Sequence, residues 1–392
     1  MSSTSKKCEP QGQPDSAAAG SGWLPPAVLG QARLQQQLRA WAQSGSQKVL
    51  LLTGPRGSGR KSVLTELAWR LLCQGGQAGA TQTVPCGSCR ACRYLKEGVH
   101  PDFRLLAPQA EEKILPVDRV RREFVNDLFL RPQLGRYKVY ILEADYLSEG
   151  AQNAILKSLE EAPPYACIFL TAARPDQVLP TILSRLEVYR TAPYEDTTLY
   201  DILRLHGVET EHRQTRLAVL LAAGNPGEAL RLSGCDWLDE VMDTGAWLWQ
   251  QLQQPGHAAL LTDGYNKVAA LRDAAAGQVP ERLHALLTLY TLRLQISLDD
   301  LYKQRSGPAA AAAARGQTAA VGWLRDLLPA ADLPLTAIEL ALEALRSFNQ
   351  ALSSNGNFEI GCCRTLLQLQ QALSVTGPGP GDSGAALAVP YR

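Results

Sequence analysis

The chain has 392 residues, 45% of them hydrophobic and 20% charged, with 39 Lys and Arg against 38 Asp and Glu. That length implies two or three domains, each able to bury a core. A net charge of +1 excludes a strongly basic nucleic-acid coat and a polyacidic tail protein, and the chain has no run of about 18 apolar residues to cross a membrane.

Residues 1–22 (MSSTSKKCEPQGQPDSAAAGSG) carry no apolar stretch after their lysines, so they read as a disordered arm rather than a secretory signal. Nine cysteines, four of them in one cluster, fit a reducing cytoplasm with a metal site better than a disulfide framework. From Trp23 to Arg190, short apolar runs alternate with helical patterns. Lys48–Thr53 is a continuous apolar run, as expected of a strand covered on both faces. Val63, Leu64, Leu67, Ala68, Leu71 and Leu72 then mark one face of a helix. Further runs at Asp102–Leu106, Val139–Leu142, Ile168–Thr171 and Leu186–Tyr189 predict an α/β domain with a parallel sheet over residues 23–190.

Beyond Thr191 the strand signal stops. Residues 191–235 read as a small helical lid turning at Gly224-Asn-Pro-Gly227, and residues 236–376 as an all-α domain. Ile338, Ala341, Leu342, Leu345, Phe348 and Leu352 form a buried stripe in the latter, and most tryptophans (Trp69, Trp237, Trp247, Trp249, Trp323) read as core. An alanine-rich loop is expected at 306–317 and a disordered tail at 377–392.

Gly54-Pro-Arg-Gly-Ser-Gly-Arg-Lys-Ser62 joins the buried strand to the helix. Such a loop aims backbone N–H groups at phosphate, assisted by the helix dipole. A working phosphate loop reads G-x-x-x-x-G-K-[ST]. Counted from Gly54, with Gly57 and Gly59 following, the lysine position holds Arg60 and the hydroxyl position holds Lys61, unless the register slips by one to Lys61-Ser62. Lys138–Asp145 has the form of the strand that ends on a magnesium-binding Asp, yet Leu142 stands there, followed by Glu143. Leucine cannot hold magnesium, and two defects together argue against hydrolysis.

Cys86, Cys89 and Cys92 form C-x2-C-x2-C, with Cys73 upstream at a helix end. Four thiolates at such spacings suit a closed zinc site, and by spacing alone also an iron–sulfur cluster. His100 is the substitute ligand should Cys73 lie elsewhere. Arg119, Arg121, Arg122, Arg131 and Arg136 could meet DNA phosphate or acidic protein surfaces, although a solvated helix face explains them more simply.

Gly30-Gln31, the degenerate loop, Tyr140–Pro164 and Leu179–Arg185 resemble the bacterial clamp-loader AAA+ family, and specifically its members with a defective nucleotide site. The resemblance covers residues 23–235 and continues weakly to Asn355–Ile360, similar to a turn of the family's collar. It implies an AAA+-type P-loop α/β domain, a helical lid and an all-α collar at 236–376. It also implies a structural zinc module at 73–92, and it matches Ala172-Ala173 and Gly227 to positions that are polar and arginine in active ATPases. Gly54, Gly57, Gly59, Arg60, Lys61 and Ser62 would then form a cradle of doubtful ATP occupancy.

Arg185 matches an arginine that, in this family, reaches the neighbouring subunit's ATP. An arginine finger in trans is worth about 10³–10⁵ in rate. The implied role is a subunit of the DNA polymerase III holoenzyme without ATPase activity of its own. It would work with delta and tau/gamma subunits to load the sliding clamp on primer-template DNA. Glu160, Glu161 and Lys157 would face the clamp or a subunit. Three other readings remain at this stage: an active clamp-loader ATPase, a zinc-dependent nucleic-acid adaptor outside replication, and a solitary AAA-like scaffold.

Overall fold

A computed structural model describes residues 28–43, 49–75, 85–109, 112–254, 256, 260–273, 281–306, 322–329, 333–353 and 357–374. The arm at 1–22, the tail at 377–392 and nearly all of the loop expected at 306–317 lie outside the described residues, as do Asn355 and Gly356. The chain divides into two compact units, the first ending at Gly234 and the second beginning at Cys235.

In the first unit, α1 (Ala32–Gln43) leads to β1 (Val49–Thr53) and α2 (Arg60–Leu72). The order continues α3 (Arg90–Lys96), β2 (Phe103–Leu106), α4 (117–128), β3 (Lys138–Glu143), α5 (Glu149–Glu160), β4 (Ala166–Ala172), α6 (Pro180–Leu183) and β5 (Glu187–Arg190). Its middle turn, Arg121–Val125, makes α4 locally π-helical. The five strands pair in the order β2-β3-β4-β1-β5, and every pairing is parallel. Parallel neighbours need crossover connections, and the helices that supply them cover both faces. Hence β1, β3 and β4 are buried along their whole length, as their unbroken apolar runs require.

One core face holds Leu51, Val120, Phe124, Tyr140, Leu142 and Ile155, and the opposite face holds Leu50, Leu52, Leu64, Trp69, Ile141 and Phe169. Asp102, fully buried ahead of β2, accepts the Gln133 and Leu134 amides at 2.7 and 2.8 Å and so fixes the loop entering β3. Three helices close the unit: α7 (Asp196–Leu205), α8 (Arg213–Ala222) and α9 (Pro226–Ser233). Leu199, Leu203, Val219 and Ala229 pack between them.

Among its described residues the second unit has helices and no strand: α10 (Trp237–Leu252), α11 (Tyr265–Asp273), α12 (Glu281–Ser306), α13 (Gly322–Leu327), α14 (Leu335–Ser353) and α15 (Phe358–Leu373). The α14 stripe is buried from Ile338 to Phe348, while Leu352 is half-buried. Trp249 and Tyr290 pack together, and their polar tips donate to the carbonyls of Pro329 and Gly245. Trp69 and Trp249 are core residues, but Trp237, Trp247 and Trp323 are only half-buried, which corrects the expectation that all five would be. Lys267 lies over the Trp247 ring instead. Among the described residues, no helix is long and apolar enough to cross a membrane.

Candidate functional site

The glycine-rich loop lies between the C-terminal end of β1 and the first turn of α2. Gly59 caps that helix with φ 80°, so Arg60 is its first residue and Lys61 its second. Ser62 is exposed. The register is therefore the one counted from Gly54, with arginine and lysine where a working loop carries lysine and a hydroxyl.

Both cations are already paired. Arg60 Nη2 lies 3.1 Å from Asp145 Oδ2, with the two side chains 10% and 4% exposed. Lys61 contacts the Glu143 carboxylate at the end of β3. Asp145 Oδ1 also accepts the Ala173 amide at 2.6 Å, which ties the end of β4 into the same cluster. Leu142 is fully buried in the sheet core and offers no oxygen. Where magnesium chemistry needs a carboxylate and a hydroxyl, this chain has a leucine and an ammonium group.

The loop is covered from the lid side. The Gly227 amide donates to the Gly57 carbonyl at 2.9 Å, and Asn225 Nδ2 donates to the Arg56 carbonyl at 2.7 Å. Asn225 Oδ1 meanwhile accepts the Glu228 amide and caps α9. A Cβ on Gly227 would stand 2.6 Å from the Gly57 Cα, so two backbones meet where neither can carry a side chain. Gly57 also needs its left-handed φ of 82°. Thr191 presses its hydroxyl on Gly54 and bonds Ser58 at 3.1 Å, and the Tyr194 hydroxyl faces Gly59. Gln31 reaches the same hinge, bonding both polar groups of the Ala192 backbone.

At the far end of α2, Cys73 meets Cys86, Cys89 and Cys92, with all four sulfurs within 4.8 Å of one another. Tetrahedral thiolates about 2.3 Å from zinc stand about 3.8 Å apart. The Cys73–Cys86 and Cys86–Cys92 separations of 3.5 and 4.0 Å match that spacing. The amides of Cys86, Cys89 and Cys92 each donate to a cluster sulfur at 3.4 Å, which favours thiolate, although burial pushes the Cys73 and Cys92 thiols up. Burial raises the Cys86 thiol, but the amides of Cys89 and Ser88 and the nearby thiols outweigh it and bring it to about 6. A Cβ at Gly75 would strike the Cys86 sulfur at 2.2 Å, so the chain closes tightly over the cluster. These four residues could hold a metal ion. His100 is not among them: its Nδ1 accepts the Asp102 amide at 3.0 Å, and the residue is buried beside β2.

Arg185 follows the short helix α6 and is 39% exposed, far enough out for another molecule to reach. Its Nη1 donates to the Thr181 carbonyl at 2.6 Å, and its Nη2 lies 2.5 Å from Glu160 Oε1. In the basic stretch, Arg119 pairs with Glu112 and Glu123, while Arg121 and Arg122 make only loose exposed pairs. Since Val120, Phe124 and Leu128 form the inner face of α4, Arg121 and Arg122 lie on its solvated side, while Arg119 is only 15% exposed. Lys157 and Glu161 are exposed and 3.9 Å apart. Sequence reasoning gave Asp145, Asn225 and Thr191 no contact at the loop, and it placed Glu160 toward the clamp or a subunit without its pairing to Arg185. The doublet Arg60-Lys61 against Glu143 and Asp145 was a charge match already present in the residue order.

Residues 30–195 match the family described as "DNA polymerase III, delta subunit". The chain is 35% identical to DNA polymerase III subunit delta' of Escherichia coli strain K12, over 65% of this chain and 72% of that one. It is 32% identical to subunit delta' of Pseudomonas aeruginosa, over 59% and 71% of the two chains. Subunit tau of the same Escherichia coli strain is 28% identical over 81% of this chain and 49% of its own.

The backbone contact at Gly227 sets the sign of one substitution. In an ordinary helix Gly→Ala stabilises by about 0.5–1 kcal/mol. Here Gly227→Ala is expected to destabilise the first unit by about 1–3 kcal/mol, as overpacking does. Chemical denaturation of both proteins measures the difference, and a gain in stability would contradict the docking.

Proposed function

Because the chain belongs to the delta prime family of DNA polymerase III clamp-loader subunits, we propose that it serves the loader as a catalytically degenerate AAA+ stator. In this reading the helical second unit is the collar that assembles with delta and tau/gamma subunits. The neighbouring tau/gamma subunit binds and hydrolyses ATP, and Arg185 supplies an arginine finger to that site. The assembly then opens the sliding clamp and places it on primer-template DNA in the cytoplasm.

One observation carries the degenerate half of the proposal: Arg60 and Lys61 are neutralised by Asp145 and Glu143 within the chain itself. A buried cation already paired with a carboxylate, as Arg60 is, has less to give a phosphate, and breaking such a buried pair by removing one partner costs about 3–5 kcal/mol. Leu142 adds the loss of the metal ligand. Both weigh against an autonomous ATPase. The near-neutral net charge weighs against an adaptor that binds nucleic acid on its own.

The finger half rests on the exposure of Arg185 and on its place after α6. A guanidinium presents a planar fork to phosphate oxygens and stays charged throughout. Substituting it should spare the fold, since its contacts are half-exposed. Arg185→Ala is therefore expected to assemble normally by size exclusion while ATP turnover of the reconstituted loader falls by about tenfold or more. Unchanged turnover would remove the trans role.

For the cysteine cluster the proposal is structural zinc. Four protein ligands leave no open position for catalysis, so the ion would hold the 85–98 segment on the end of α2. Metal analysis should find one zinc per chain, and Cys89→Ser should lower it well below one and reduce the thermal stability of the first unit. Full zinc occupancy in that variant would contradict the assignment.

A further inference from the structure

We propose that Glu160 is the positioning residue for Arg185, holding its guanidinium in the rotamer that a neighbouring subunit's phosphate meets. The inference rests on the trans-finger reading above and deepens it.

Glu160 ends α5, and Arg185 follows α6 two residues beyond its last turn. The two elements are not free to drift. Gln152, buried on α5, accepts the Leu179 amide at 2.9 Å and donates to the Gln177 carbonyl at 3.1 Å, so α5 grips the segment that starts α6. Ser148 caps the start of α5, and Ile155 and Leu159 bury its inner face. The Glu160 carboxylate therefore stands on a rigid platform relative to Thr181, whose carbonyl is the other strong acceptor for Arg185.

Between them these acceptors take one side of the guanidinium. Nη1 bonds the Thr181 carbonyl at 2.6 Å and the Ser184 hydroxyl at 3.1 Å, and Nη2 meets Glu160 at 2.5 Å. Nε–H takes no part in these contacts. An arginine side chain has several rotatable bonds, and an exposed one samples many rotamers unless it is held. Three acceptors on one side, with the rest of the group open to solvent, reduce that freedom while leaving donors for an incoming anion. The Thr181 carbonyl lies on the last turn of a short helix and cannot be removed by side-chain substitution. Glu160 can, and it supplies the only charge among the three.

The test uses the loader reconstituted with its delta and tau/gamma subunits, carrying Glu160→Ala, Glu160→Asp, Arg185→Ala or the Glu160→Ala/Arg185→Ala double variant. Glu160→Ala is expected to lower kcat for ATP by about three- to tenfold, the span from an exposed ion pair to one desolvated at an interface. KM should stay within about twofold, and Glu160→Asp should recover most of the loss. The double variant should turn over no more slowly than Arg185→Ala alone, because Glu160 acts only through that arginine. Multiplied losses in the double variant would overturn the inference, as would unchanged or raised kcat in Glu160→Ala beside a clear loss in Arg185→Ala. No loss in Arg185→Ala would instead overturn the finger reading beneath it. If Glu160→Ala fails to assemble, Glu160→Gln replaces it; the isosteric amide should give an intermediate loss of kcat, and wild-type kcat would again overturn the inference.

Discussion

Two ion pairs at the head of α2 govern what the first unit can do. Arg60 to Asp145 and Lys61 to Glu143 join the start of a helix to the end of the central strand β3, and Asp145 extends the tie to β4 through the Ala173 amide. In a nucleotide-driven domain this junction is held by phosphate and magnesium, and it loosens when the γ-phosphate leaves. Here it is held by side chains that never leave. Arg60 and Asp145 form a desolvated pair that resists separation because each partner would be left as a buried charge, while Lys61, 34% exposed, is paired but still reached by solvent. The lid docks on the same loop: Gly227 and Asn225 bond the loop backbone directly.

Helix α2 also carries the cysteine cluster at its opposite end. Its first residues enter the ion pairs and its C-cap is Cys73, while Trp69 and Leu64 along its length are buried against the sheet. One helix therefore joins the glycine-rich loop to the cysteine cluster, with the packed core as the link between them. This architecture suits a subunit whose contribution is a fixed surface. In the proposed role Arg185 is the part of that surface with chemistry to offer, and it lies beyond α6, away from α2 and the glycine-rich loop.

Most of the sheet was legible in the sequence because buried parallel strands leave unbroken apolar runs, as at Leu50–Leu52 and Ile168–Leu170. The glycine-rich loop and the Cys86, Cys89 and Cys92 trio were legible because each is a local pattern, although spacing alone left open the loop register, the fourth ligand and the kind of metal centre. What was not legible depends on residues far apart in the chain. Asn225 reaches Arg56 across 169 positions and Gln31 reaches Ala192 across 161, and no local period announces such pairs. Cys73 was the ligand for which His100 stood as a substitute, and the C-cap geometry of α2 brings it to the cluster. The tryptophans illustrate the converse error. Helical periodicity places Trp247 and Trp323 on apolar stripes, but a large ring at the edge of a stripe stays half in solvent.

In the proposed reading, internal ion pairs have replaced magnesium-nucleotide chemistry in this cradle. Calorimetric titration of the isolated chain with ATP, with and without magnesium, tests it most directly. The account requires no magnesium-dependent binding and no ATP turnover by the chain alone. Affinity that rises on adding magnesium, or hydrolysis without partner subunits, would contradict it.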